Sequence, residues 1–126
     1  MDLALWVLQI ILALAFLAVG VTHAFRFDAF VARPGTAWGA DVGRRNMFVI
    51  GILEILGAIG LIVPAATGIL PWLTPLAAAL LALLMVFAIV FHARRGHEVP
   101  NIAFNAILGV LAAIIAYGRS VLEPFA

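Results

Sequence analysis

The sequence predicts an all-α fold: an integral membrane bundle of four transmembrane helices. Three observations carry this. Apolar residues fill 67% of the 126 positions and charged residues 10%, against roughly 45–50% and ~25% in a soluble domain. Four stretches approach the ~20 apolar residues that cross a bilayer core. None alternates with a period of two, and Ala and Leu dominate them, so the strands of a membrane barrel are not expected. The length corresponds to one domain, residues 1–126.

The first span covers about residues 3–25, with Gln9 its one polar residue before Thr22. A cleavable leader is the rival reading, with Ala13-Leu14-Ala15 as the processing site. Asp2 and the lack of an early cation argue against it, and the apolar run continues well past Ala15. The connection at 26–46 carries Arg26, Arg33, Arg44 and Arg45. Phe25, Phe27 and Phe30 flank Arg26 and Asp28, which predicts a short interfacial amphipathic turn. Arg33-Pro34-Gly35 marks a turn, and Asp41 is the expected N-cap of a helix that starts before its membrane segment.

The second span covers about residues 47–63 and is expected to close at Pro64. The third covers about 72–91, with no polar side chain after Thr74. The fourth covers about 102–118 and begins after Pro100 and Asn101. The 26–46 and 92–100 connections together hold six of the seven Arg, and the remaining one, Arg119, lies in the C-terminal tail. The positive-inside rule places both connections in the cytoplasm and both termini outside. Trp6, Trp72 and Tyr117 then mark the outer interface. His97, beside Glu98, reads as a solvated loop residue.

Composition also excludes chemistries. A net charge of +1 offers no field for nucleic acid. The chain has no Lys for a Schiff base and no Cys for disulfides, thiolate metal sites or a thiol nucleophile. No phosphate-loop or nucleophile motif is present.

Polar groups inside a bilayer need partners, so their placement carries information. Glu54 shares a helix face with Gly51, Gly57 and Ala58, small residues that let helices approach, so it is expected to point into the bundle. Gln9, Ala13, Phe16, Gly20 and His23 form one stripe on the first helix. Ala78, Leu81, Met85, Ala88 and His92 form another on the third. Asn101, Asn105, Gly109, Ala112 and Ala116 form a third on the last helix. His23, Glu54, His92 and Asn105 then fall in the same half of the membrane. This predicts one polar pocket on the cytoplasmic side.

The run Gly51–Pro64 (GILEILGAIGLIVP), the segments Met85–Ala88 and His92–Gly96, and the closing Tyr117-Gly118-Arg119 resemble the DoxX-like family over about residues 12–119. The resemblance implies a small four-helix bacterial membrane protein. Some relatives are named for thiosulfate:quinone oxidoreduction and others for redox stress, and most have no assigned activity.

Glu54 has two readings. It either pairs structurally with Arg26, His23, His92 or a nearby hydroxyl or amide, or it accepts a proton or contacts a ligand. His23 and His92 are either interfacial histidines bonded to water or backbone, or a pair flanking Glu54 that could bond a quinone carbonyl. A metal is not expected, because no helix carries a paired H-x-x-x-H or E-x-x-H. Asn101 and Asn105 serve most simply as interhelical hydrogen-bond donors. The expected ligand site is therefore Glu54, His23, His92, Asn105 and Arg26. The expected role is a quinone-linked redox subunit or a hydrophobic-ligand module of the bacterial inner membrane. The alternative is a non-catalytic accessory or assembly subunit, with other membrane subunits or further copies of the chain as partners. A small transporter is a third reading, disfavoured because the outer half of the bundle is apolar apart from Gln9.

Overall fold

The computed structural model describes residues 1–96 and 98–125; His97 lies outside the described residues. The helices are α1 (Asp2–Phe25), α2 (Phe27–Val31), α3 (Trp38–Val42), α4 (Arg44–Thr67), α5 (Leu73–Arg95) and α6 (Val99–Tyr117), the last continuing into a π-helical turn at Gly118–Leu122. No strand occurs among the described residues. Helices α1, α4, α5 and the extended α6 are long and apolar enough to cross a membrane. The fold is an all-α four-helix membrane bundle. The short helices α2 and α3 lie in the Arg-rich connection between α1 and α4, and the predicted amphipathic turn is α2, with Phe30 buried and Asp28 exposed.

Pro64 does not end α4, contrary to the sequence expectation. Proline lacks an N–H, so the carbonyl of Gly60, four residues earlier, loses its helical donor. Thr74 Oγ1 on α5 donates to that oxygen at 2.9 Å. Gln9 Nε2 on α1 donates to the next carbonyl, Leu61, at 2.7 Å. Neighbouring helices thus satisfy backbone that the bilayer could not. Helix α4 ends instead at Gly68, whose φ of 71° is left-handed.

Asp41 is not the N-cap of α4. It lies within α3, and Gly43, at φ 93°, separates α3 from α4. That angle suits a residue without a β-carbon. The Asp41 carboxylate pairs instead with Arg95 at the end of α5.

The bundle is two close pairs. Helix α1 packs along α4, and α5 along α6; the pairs meet mainly through α4 and α5, with a smaller contact between α1 and α6. Glycine sets the first pairing. A β-carbon on Gly51 would lie 2.5 Å from the Gly20 carbonyl oxygen and 2.6 Å from the Ala24 nitrogen. Such backbone contact is how membrane helices gain packing when lipid supplies no hydrophobic drive between them. Leu12, Phe16, Leu61, Leu81 and Ile115 fill the centre, and Leu14, Leu56 and Leu80 are among the large apolar residues left on the outside.

Candidate functional site

The Gly20–Gly51 contact decides the geometry of the site. His23 and Glu54 each stand three residues beyond one of these glycines, so each lies over the point of closest approach. His23 Nδ1–H donates to Glu54 Oε1 at 2.7 Å, and Glu54 is 2% exposed. Of the partners considered from the sequence, Glu54 takes His23. The carboxylate fixes the ring by binding Nδ1, and Nε2 is the nitrogen left for a ligand.

His92 has a carboxylate of its own. At the end of α5 the chain turns at Gly96, φ 77°, and brings Glu98 back over the helix. His92 Nδ1–H donates to Glu98 Oε1 at 2.8 Å, and Arg95 Nε–H donates to the same oxygen at 3.0 Å. Burial raises the Glu98 pKa and is the largest single influence. The hydrogen bonds from His92 and Arg95, with their charges, together outweigh it, and the carboxyl sits below its ordinary value of 4.5.

Trp38, on α3, lies against both imidazoles. Its ring meets His92 edge-on at 4.7 Å between centroids, Phe30 at 5.3 Å and His23 at 6.0 Å. Its Nε1–H is the one buried side-chain polar atom without a hydrogen-bond partner among the described residues. The segment that carries it is tied down at both sides. Asp41 pairs with Arg95, Asn101 Nδ2 on α6 donates to the Gly35 carbonyl at 3.3 Å, and Asp28 pairs with Arg44.

These groups surround one cavity of about 750 Å3, with His23, Glu54, His92, Trp38 and Asn105 in its wall and apolar side chains making up most of the rest. Ligand cavities typically span about 300–1,000 Å3 and combine apolar walls with a few placed polar groups. The structure therefore brings four of the five residues singled out from the sequence to one space. The fifth, Arg26, is a correction. It is the break between α1 and α2, at φ −128° and ψ 39°, its side chain is exposed, and it does not line the cavity. Among the described residues no group of three or more His, Cys, Asp or Glu is placed to hold a metal ion.

Sequence reasoning missed Trp38 and Glu98. The available signal for Trp38 was a large aromatic between Ala37 and Gly39 in the Arg-rich connection. For Glu98 it was a carboxylate just past a Gly turn that follows a histidine. It also missed a second polar cluster at the opposite end of the bundle. Arg119 is 2% exposed. It donates from Nε to Gln9 Oε1 at 2.7 Å and from an Nη to Asp2 Oδ1 at 2.6 Å. The π-helical turn points this arginine inward. The cluster ties the two ends of the chain together, and its guanidinium is already partnered.

The sequence matches a known family. The model of the DoxX-like family covers residues 7–115. The chain belongs to the DoxX-like family. Comparison with curated proteins and with solved structures returned no match. In this DoxX-like chain the Glu54 element of the resemblance is the acceptor for His23. The His92–Gly96 element carries the second imidazole together with Arg95. Arg119, beyond the matched residues, supplies the buried guanidinium at the far end.

Proposed function

We propose that this DoxX-like protein binds a flat, neutral, hydrophobic ligand with hydrogen-bonding oxygens, of the quinone class, in the cavity between its helix pairs. The observation that carries the reading is the union, in one largely apolar cavity, of two imidazoles that each bind a carboxylate through Nδ1. A His23 imidazolium paired with the Glu54 carboxylate is neutral overall and donates from both nitrogens, so Nε2 can bond a carbonyl oxygen. The neutral imidazole accepts at Nε2 and so suits a hydroxyl. One dyad thereby serves both the carbonyl and the hydroxyl form of such a ligand. Trp38 Nε1–H is a further donor, and leaving a buried donor unpaired costs about 1–3 kcal/mol, which a ligand oxygen would relieve. The aromatic side chains of Trp38 and Phe30 in the cavity wall suit a flat ring. Arg33, Arg44, Arg45, Arg94 and Arg95 lie at this end of the bundle, which supports a cytoplasmic-side cavity in an inner membrane.

The test is extraction of the protein purified in mild detergent, with bound quinone quantified by mass spectrometry. The reading expects bound quinone in the wild type and its loss in Glu54→Gln. Protein free of quinone that also fails to take it up on addition would overturn the reading.

A further inference from the structure

The ligand-binding reading leaves open where a long ligand would put its tail, and the geometry of the helix pairs answers this. The pairs are joined at the end away from the dyads. There a β-carbon on Gly57 would lie 2.5 Å from Leu81, one on Gly60 would lie 2.7 Å from Ala77, and Thr74 bonds the Gly60 carbonyl. Helices α1 and α6 also meet at that end, with Gly118 against Leu5 and Arg119 against Gln9. Two turns toward the dyads, from Gly57 back to Ile50 and from Leu81 on to Ala88, the same two helices line the cavity instead.

Val49 on α4 and Phe87 on α5 face this gap. They line the cavity and remain 49% and 62% exposed. A side chain that does both stands on the rim of an opening. The surrounding surface is lipid-facing, with Leu53, Leu83 and Val86 exposed. Nearer the loops the cavity wall turns polar, with Asp41 and Asn46 lining it and exposed. The slot thus runs from a polar rim at the membrane surface to an apolar rim within the bilayer.

We infer that the slot between α4 and α5 at Val49 and Phe87 is a lateral portal, through which the apolar tail of an amphiphilic ligand remains in the bilayer while its head occupies the His23–Glu54 cavity. The inference rests on the ligand-binding reading. Lipid and protein interior are equally apolar, so the tail gains little by burial. The portal's role is to let the head seat without forcing the tail through the bundle.

The chain has no cysteine, so Val49→Cys gives a unique thiol on the rim, and a bulky maleimide attached there plugs the slot. Leu56→Cys, two turns along α4, exposed and outside the cavity, is the control. Binding of a decyl-tailed benzoquinone and of its tail-less parent is measured in nanodiscs by quenching of Trp38, with Trp6 and Trp72 replaced by Phe. Both quinones are expected to bind the unmodified protein. The plug at position 49 should weaken the decyl compound on the order of tenfold more than the tail-less compound. The adduct at position 56 should change neither. Equal decyl affinity with and without the plug overturns the portal while the cavity reading stands, and so does equal loss of both quinones. Absence of binding by either quinone to the unmodified protein overturns the cavity reading and the portal with it.

Discussion

The His23–Glu54 pair should behave as one unit, and a double-mutant cycle measures this. The bond is 2.7 Å long, and both residues are buried between α1 and α4. Glu54→Leu leaves the His23 Nδ1–H unpaired, and His23→Phe leaves a carboxyl group unpaired. Each single change costs the desolvation of the orphaned group, about 1–3 kcal/mol for a neutral group and up to roughly 3–5 kcal/mol where a charge is stranded. Changing both removes donor and acceptor together, and apolar replacement of a buried pair is often neutral. Phe at position 23 also keeps a ring beside Phe30 and Trp38, which His23 contacts at 4.8 and 6.0 Å. The double variant should therefore be more stable than the sum of the singles predicts, with a coupling of about 1–3 kcal/mol. Reversible unfolding in mixed micelles, followed by helical circular dichroism, measures the four stabilities. Additive losses would refute the reasoning, because they would mean that the residues act independently despite their contact.

Three further outcomes follow from the same geometry. Gly51→Ala places its β-carbon against backbone atoms of Gly20 and Ala24 that cannot move aside, so it should cost about 1–3 kcal/mol. Gly57→Ala meets only the flexible Leu81 side chain and should cost less; the same unfolding assay ranks them. Arg119→Ala strands Gln9 Oε1 and frees the C-terminal turn, for a loss of about 2–5 kcal/mol, whereas Asp2→Ala, at an exposed partner, should cost less. The lowered pKa of Glu98 means that its contribution to stability is present above its ordinary value and is lost as pH falls through the lower folded-state value. An acid titration of stability should accordingly show the gap between wild type and Glu98→Gln closing below pH 4.5.

The sequence made the bundle legible because a bilayer leaves few options. Gln9, Ala13, Phe16, Gly20 and His23 stand on one face at helical spacing, and all five are buried. Glu54, surrounded by small residues, turned inward as intramembrane carboxylates do. Most of the misses depend on contacts that helical periodicity does not reach, although Glu98 lies only six residues from His92 and three from Arg95. Pro64 reads as a helix end until Thr74, ten residues later, satisfies the carbonyl it frees. Asp41 reads as a local cap, but its partner is Arg95. Arg26 is adjacent in sequence to a helix bearing a site histidine, yet the chain breaks at that residue and leaves it outside. Trp38 joins the cavity only because the Arg-rich connection folds back over the helix ends, and periodicity says nothing about such a segment.

The most direct test of the central claim uses Trp38 as the reporter at the site itself. In a variant with Trp6 and Trp72 replaced by Phe, titration with a tail-less benzoquinone should quench Trp38 saturably. Adding Glu54→Gln should weaken that binding on the order of tenfold, the worth of a charge-supported hydrogen bond. Quenching that never saturates, or an affinity unchanged by Glu54→Gln, would contradict the account.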